Sequence, residues 1–240
     1  MQSRVVDIKS DDVLVNIESN PLELDYNLNH CQSVHKTDEG WKLVPGTNAH
    51  ELFHGSLENP YRLYEIHGHM VGDSCLESCR RHSVDGKEYA GELHFVHYDP
   101  HLSFSPNKLN KYVPDRRAIV CILLEEGKVN NELSKFTNEL SELSYRVTKI
   151  GFNDDVNPTY LLPEKLDFWM YKEETGEGMK KEYLTWIIFK NPIEASKEQI
   201  NAMRSPYGRA SGPGSAIQPQ SKRTITEGQA AFKRCSVGKE

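Results

Sequence analysis

Residues 61–99 read YRLYEIHGHMVGDSCLESCRRHSVDGKEYAGELHFVHYD and contain two strand-like stretches joined by a polar, glycine-containing connection. In the first stretch, His67 and His69 are two residues apart, so on a β-strand their side chains leave the same face. In the second stretch, Glu92 and His94 share a face for the same reason. If the two strands pair antiparallel, His94 can lie opposite the first two histidines. Three imidazoles with an open fourth position are the arrangement in which proteins hold catalytic zinc.

Two glutamates lie on the same strand faces as these histidines. Glu65 shares its face with His67 and His69, and Glu92 shares its face with His94. A zinc-bound imidazole usually donates its other N–H to an acceptor that fixes the tautomer and the orientation of the ring. Both glutamates can serve as such acceptors. The sequence leaves open the alternative that they are solvated strand residues.

A longer pattern around these residues connects the chain to a known family. The pattern runs Tyr-Arg-Leu, then His-x-His, then His-Ser-Val-Asp-Gly-Lys-x-Tyr-Ala-Gly-Glu-Leu-His-Phe-Val-His, and it closely resembles the α-type carbonic anhydrases. The segments YLLPEKLDFWMY at 160–171 and EYLTWIIF at 182–189 resemble the same family. The chain is therefore identified as a divergent, N-terminally short member of this family. Family members normally have an aromatic-rich lead before the conserved body, and its absence from this sequence leaves open a shortened form, a partial gene model or a divergent member.

This resemblance implies Zn²⁺ as the cofactor and assigns roles to several residues. Its three ligands would be His67, His69 and His94. Glu92 matches the carboxylate that orients the third ligand, and Glu65 falls where a Gln usually orients the first. His82 and His97 match supporting positions rather than ligands.

The activity implied by the resemblance is the reversible hydration of carbon dioxide to bicarbonate, in which a zinc-bound hydroxide attacks the carbon. An apolar wall would accept the nonpolar substrate. Four residues are expected in this wall: Val96, Ile119, Leu184 and Trp186. Each of them would look the same in an ordinary hydrophobic core.

The loop between the two later segments departs from the family pattern. Where the family has Gly-Ser-Leu-Thr-Thr-Pro-Pro, residues 172–181 read KEETGEGMKK. The family's first threonine, which accepts a hydrogen bond from the zinc-bound hydroxide, falls on Gly176, and Thr175 could substitute only if the loop shifts. The glutamate that orients that threonine is replaced by Arg81. Losing one preorganised hydrogen-bonding group typically costs roughly 10²–10³ in rate, so we expect attenuated hydratase activity.

The family position that often carries a proton-shuttling histidine is occupied by Trp41, which cannot transfer a proton near neutral pH. Buffer would then carry the protons, and the nearby His35 is expected to be solvent-exposed. A second class of function also remains open: a catalytically inactive, carbonic-anhydrase-related binding module that uses its surface for a protein partner. The three histidines favour the enzyme, whereas Gly176 and Arg81 favour the module.

The resemblance covers nearly the whole chain and implies a mostly β (α+β) fold. Residues 1–240 are expected to form one domain with a large, mainly antiparallel twisted sheet, few short helices and zinc in a central cleft. Segments at about 207–215 and 236–240 are expected to be loose. Residues 130–149 have apolar side chains at helical intervals and predict one amphipathic helix; these side chains are Leu133, Phe136, Leu140 and Leu143.

Composition limits the other function classes. The net charge is −6 and there is no basic cluster, which argues against nucleic acid as a partner. No apolar run approaches membrane-spanning length, and the first residues lack the apolar core of a signal peptide, so a cytoplasmic location is expected. The five cysteines do not suggest a disulfide framework. Cys75 and Cys79 are expected to be unpaired thiols, with a local disulfide or a metal site as the alternatives, and Cys121 is expected to be a small core residue.

Overall fold

The structure is a computed structural model that describes residues 4–15, 22–26, 31–38, 40–46, 50–53, 57, 60–71, 80–100, 115–175, 182–204, 217–218 and 224–232. Strands dominate these ranges. They are β1 (Arg4–Ile8), β2 (Leu14–Val15), β3 (Leu22–Tyr26), β4 (Cys31–Thr37), β5 (Gly40–Pro45), β6 (His50–Phe53), β7 (Tyr61–Met70), β8 (Arg80–Val84), β9 (Lys87–Glu88), β10 (Gly91–Tyr98), β11 (Asp115–Glu126), β12 (Lys149–Val156), β13 (Asp167–Thr175), β14 (Glu182–Phe189), β15 (Ile193–Ala195), β16 (Ile217–Gln218) and β17 (Thr226–Phe232). The helices are α1 (Asn131–Thr137) and α2 (Lys197–Met203), with 3₁₀ turns at Ser10–Asp12, Glu139–Glu142 and Pro158–Leu161.

The main sheet runs in the order β10-β11-β14-β13-β17-β3-β6-β7-β5-β4-β12, and β10 also pairs with β7. Most neighbouring strands are antiparallel, while β11–β14 and β17–β3 are parallel pairs. The C-terminal strand β17 is thus built into the sheet between β13 and β3. These observations confirm the prediction of a mostly β domain with few short helices. No helix in the described ranges is long and apolar enough to cross a membrane.

Apolar clusters cover both faces of the main sheet around β11. Ala118, Val120 and Ile122 belong to the larger cluster, which also includes residues of α1 and α2. Ile119 and Cys121 face the other way, into a second cluster with residues of β1, β13 and β14. Since both faces of β11 are covered, its sequence reads as a continuous apolar run rather than an alternating one.

A second, smaller sheet has the strand order β16-β1-β8-β9. This sheet was not predicted from the sequence. Strands β8 and β9 form a hairpin in the stretch that we expected to be a polar connection. Its turn contains Asp85 and Gly86, both with positive φ (49° and 80°), the left-handed region that glycine adopts without steric cost. Parallel pairing with β1 holds β8 in place and positions His82 beside β10.

The prediction of one helix over residues 130–149 is wrong in length. Helix α1 ends at Thr137, a 3₁₀ turn follows, and β12 already begins at Lys149 and pairs with β4. The four apolar side chains of the pattern are nevertheless buried. The helical spacing of these side chains therefore reports their burial and not the length of the helix.

Several predictions fall on parts of the chain beyond the described ranges. These are the segments expected to be loose, about 207–215 and 236–240, and the thiols of Cys75 and Cys79. They stay predictions, as does the extent of the domain over residues 1–240.

Candidate metal centre

Three histidines converge on the face of the main sheet that is turned toward the second cluster. Antiparallel pairing of β7 and β10 places His94 directly opposite His67, and Glu92 directly opposite His69. The ring centroids are 4.9 Å apart for His67 and His69, 5.4 Å for His67 and His94, and 4.8 Å for His69 and His94. Each ring offers a nitrogen that lies within 4.8 Å of the other two. The juxtaposition expected from strand spacing is present in the structure.

The first of these rings is oriented by a carboxylate. Glu65 Oε1 lies 3.2 Å from His67 Nδ1, and Oε2 accepts a hydrogen bond from the Lys42 ammonium at 2.8 Å. Burial alone would raise the pKa of Glu65, but hydrogen bonds from His67 and Lys42 lower it to about 2. Because an ionised carboxylate only accepts, Nδ1 of His67 carries the proton and Nε2 keeps a free lone pair.

The third ring is oriented by a second, fully buried carboxylate. The Nε2–H of His94 donates to Glu92 Oε2 at 3.0 Å, which leaves Nδ1 of His94 with its lone pair. Burial lowers the pKa of His94 to about 4 against the opposing effect of Glu92, so this ring is neutral at pH 7. Neutral imidazole is the form that binds a metal.

Glu92 has further partners that the sequence did not reveal. Its Oε2 also accepts hydrogen bonds from His82 Nδ1 at 3.0 Å and from the Cys121 thiol at 2.9 Å, and its Oε1 accepts from the backbone N–H of His82. Since Nδ1 of His82 donates, its Nε2 accepts from the Tyr171 hydroxyl at 2.9 Å. Burial opposes ionisation of Glu92, but His82 and His94 hold its pKa well below the usual value.

Cys121 is buried, as expected, but it is more than a small core residue. It lies on β11 directly opposite His94, and its thiol contacts a carboxylate. Strand alternation predicts only that Cys121 shares a face with Ile119. Which strand lies beside β11 depends on the tertiary pairing, so no local signal in the sequence could assign this contact.

The four residues expected in an apolar wall lie on the same face of the sheet as the three histidines. Val96, Ile119 and Trp186 stand opposite one another on β10, β11 and β14, and Leu184 lies two residues before Trp186 on β14. All four are at most 9% exposed. The ring of Trp186 lies 5.3 Å from that of His94, centroid to centroid, in an edge-to-face contact.

Trp41 does not face the histidines. Its indole is buried in the larger cluster, donates to the carbonyl of Met203 at 2.8 Å and packs against Phe136 at 5.2 Å. The next residue, Lys42, stands opposite His67 and occupies the histidine-bearing face instead. The expectation that His35 is solvent-exposed is wrong. This side chain is half-buried and forms a hydrogen bond with Ser33 Oγ at 3.0 Å.

His97 points away from the other histidines into the larger cluster. Its Nδ1–H donates to the carbonyl of Ala118 at 3.2 Å, and its Nε2 accepts from the Tyr26 hydroxyl at 2.9 Å. Burial raises the pKa of Tyr26 far above its usual value, so this hydroxyl remains a donor. The hydrogen bonds of His97 therefore tie β10 to β3, apart from the metal-facing surface.

The residues that depart from the family pattern are described only in part. Arg81 lies on β8 opposite Val5, and Thr175 ends β13 opposite Glu182. The side chains of Arg81 and Thr175 lie outside the described part of the chain, as does Gly176.

Comparisons with known proteins identify the family of the chain. A family model described as eukaryotic-type carbonic anhydrase matches residues 2–225. Carbonic anhydrase 1 of Oryctolagus cuniculus is 30% identical over 220 residues, which cover 86% of this chain and 87% of that protein. Carbonic anhydrase 7 of Homo sapiens is 32% identical over 189 residues, which cover 77% of this chain and 69% of that protein.

A solved structure supports the same assignment at the level of the fold. The α-carbonic anhydrase of Thermovibrio ammonificans, in complex with the inhibitor sulfanilamide, superposes with a TM-score of 0.70 at 24% identity. The match covers 94% of this chain and 86% of that one. With a family model matched over most of its length, the chain belongs to the eukaryotic-type carbonic anhydrase family.

Proposed function

We propose that this chain binds Zn²⁺ and catalyses the reversible hydration of carbon dioxide to bicarbonate at an attenuated rate. The proposed ligands are His67, His69 and His94. The observation that carries the proposal is the convergence of their rings, with centroids 4.8–5.4 Å apart, on a face where two of the rings already have their outer N–H groups engaged. Three imidazole nitrogens with room for a fourth ligand suit zinc.

The acceptors on the outer side of the rings fit this donor set. Glu65 holds His67 so that Nε2 is available, and Glu92 holds His94 so that Nδ1 is available. Such acceptors fix the tautomer and the ring direction and raise the basicity of the ligand. When bound, zinc would act as a Lewis acid that lowers the pKa of a coordinated water.

The wall formed by Val96, Ile119, Leu184 and Trp186 would hold the nonpolar substrate beside the metal and exclude bulk water. The wall also contains one polar group, the Trp186 Nε1–H, which is buried and has no hydrogen-bond partner among the described residues.

The attenuated rate is proposed from three residues that differ from the family pattern. Gly176 has no hydroxyl to accept a hydrogen bond at the reacting centre, and Arg81 replaces the carboxylate that would orient such a hydroxyl. Thr175 would supply a substitute only through a shift of its loop. Trp41 is directed into the core and offers no titratable group, so protons would leave through buffer.

A binding module without catalysis is the second candidate, favoured by the residues at positions 176 and 81. In that case the scaffold, with or without metal, would serve a protein partner. Carbon dioxide and bicarbonate remain the proposed small-molecule partners of the enzyme. The absence of a nucleic-acid partner and a cytoplasmic location both stay predictions.

The test compares zinc content and carbon dioxide hydration, measured by stopped flow, in the parent chain and in His94→Ala. The parent is expected to hold about one zinc and to accelerate hydration, and H94A is expected to lose both. His35→Ala is the matched control, because His35 lies on the same face two strands away from His67 and is not a proposed ligand. If the parent binds zinc stoichiometrically but does not accelerate carbon dioxide hydration, the proposed enzymatic activity is overturned and the binding module is favoured. A parent that binds no zinc would overturn the metal site itself.

A further inference from the structure

Glu92 has more hydrogen-bond donors around it than the orientation of one histidine requires. Its Oε2 accepts from His94 Nε2 at 3.0 Å, from His82 Nδ1 at 3.0 Å and from the Cys121 thiol at 2.9 Å. Its Oε1 accepts from the backbone N–H of His82. All four residues are at most 3% exposed. In such a dry environment each of these bonds constrains where the carboxylate lies.

The order of the strands explains how the thiol reaches this carboxylate. Strand β10 lies between β7 and β11, so His94 has His67 opposite it on one side and Cys121 opposite it on the other. Glu92 precedes His94 by two residues and therefore shares its face. The thiol approaches Glu92 from a strand that contributes none of the three proposed ligands.

The thiol acts as a donor in this arrangement. Burial raises the pKa of Cys121 well above its usual value, and the charge of Glu92 raises it further, so the sulfur keeps its proton at neutral pH. His82, Glu92 and Cys121 are also close enough together to be considered as metal ligands. However, the same atoms already satisfy one another as donor and acceptor, with Sγ 3.8 Å from His82 Nδ1. Hydrogen bonding accounts for the cluster without a second ion.

We propose that Cys121 is a positioning residue of the metal centre, whose thiol holds Glu92 Oε2 at the point from which it orients His94. This inference rests on the proposed zinc site. Without the sulfur, the carboxylate keeps its other donors but gains space into which Oε2 can move. Removing an acceptor of this kind typically changes metal affinity 10–100-fold. Loss of one donor among several is expected to lie at the lower end, at about tenfold.

The experiment measures the rate of zinc dissociation into a chromogenic chelator from the zinc-loaded full chain. Cys121→Ala is expected to release zinc about tenfold faster than the parent. Cys121→Ser, whose hydroxyl also donates, is expected to restore most of the slow rate. If C121A does not fold, Cys121→Val replaces it, because valine fills the site without a donor.

A matched control is provided by the other described buried cysteine. Cys31 is also fully buried, but it lies in the larger cluster on β4. Cys31→Ala is expected to lower stability in urea by an amount similar to that of C121A and to leave zinc release unchanged. A second readout is the visible absorption spectrum of the cobalt(II)-substituted protein, which reports ligand geometry. It is expected to change in C121A, to return in C121S and to stay unaltered in C31A.

The outcomes separate this inference from the proposed function. If the parent holds zinc but C121A releases it at the parent's rate, the positioning role is overturned and the zinc site stands. If C121S and C121A release zinc at equal rates, the proposed role of the hydrogen-bond donor at position 121 is overturned as well. A parent that binds no zinc overturns both the role of Cys121 and the proposed function.

Discussion

Gly68, between two of the proposed ligands, is a site where one added methyl group tests the packing beneath the metal centre. Its Cα faces the larger cluster, where Trp41 packs over it. A Cβ built on Gly68 would lie 2.8 Å from Trp41 Cζ2, 3.3 Å from Trp41 Cη2 and 3.1 Å from Met70 Cε. Carbon atoms ordinarily approach to about 3.5–4.0 Å. Met70 is flexible and can give way, whereas the indole is held by its hydrogen bond to Met203.

Gly68→Ala is therefore expected to destabilise the fold by about 1–3 kcal/mol, the usual range for overpacking. Trp41→Phe removes the clashing benzo-ring atoms, but it also leaves the Met203 carbonyl without its donor and is expected to cost about 1–3 kcal/mol by itself. In the double variant, the alanine methyl fills space left by the smaller ring. We expect the double variant to be more stable than the sum of the single effects by about 1 kcal/mol or more.

The assay is urea denaturation followed by far-UV circular dichroism, so that the loss of a tryptophan does not alter the signal. Gly151→Ala serves as the control, because a Cβ there has Gln32 O at 3.8 Å as its nearest neighbour and should be tolerated. G68A is also expected to release zinc faster, since the displaced backbone carries His67 and His69. Additivity of G68A and W41F within about 0.5 kcal/mol would refute the clash as the cause.

Two further predictions concern stability away from the metal centre. Burial opposes ionisation of Asp7, but hydrogen bonds, of which the one from Lys9 is the largest, hold the pKa of this carboxyl below 3.8. The ionised carboxylate therefore contributes its full stabilisation above pH 3.8, and this contribution is lost as the pH falls through the lower pKa of the folded state. Asp7→Asn should therefore lower the free energy of unfolding by about 1–3 kcal/mol at pH 7, with a difference that shrinks on acidification; a difference that grows would contradict this assignment. Asn130 caps α1 by accepting two backbone N–H bonds, so Asn130→Ala should cost about 1 kcal/mol in thermal or urea unfolding, while Asn138→Ala, which removes no cap bond, should be near neutral. Equal losses in the two asparagine variants would remove the cap as the explanation.

Local periodicity predicted which residues of the three-histidine cluster share a strand face, and the family resemblance joined the two strands into one expected metal site. Residues two apart on a strand share a face whatever the rest of the fold does, so His67, His69 and the pair Glu92 and His94 could be grouped from spacing alone. The orientation of His94 by Glu92 follows from the same rule. Periodicity alone predicted only a mostly β chain with some helix, and the resemblance to the family then supplied the fold class.

Predictions that depended on long-range pairing were less successful. Helix α1 ends at Thr137, and the segment 130–149 closes at Lys149 with the start of β12, which pairs with β4, a strand more than a hundred residues earlier. Trp41 was matched by resemblance to the family's shuttle position, but the strand register puts Lys42 opposite His67 and directs the indole of Trp41 into the larger cluster. The hairpin that contributes His82 was missed because its main support is a parallel partner at the start of the chain.

By itself, the sequence determined which side chains leave each strand together, because a strand repeats every two residues. Only the tertiary structure decided which strands lie side by side and in what register. It placed Cys121 opposite His94 and His82 against Glu92, and it turned Trp41 toward Gly68. A register shift of one residue would reverse every one of these faces, and the register is set by hydrogen bonds and core burial between segments far apart in the chain.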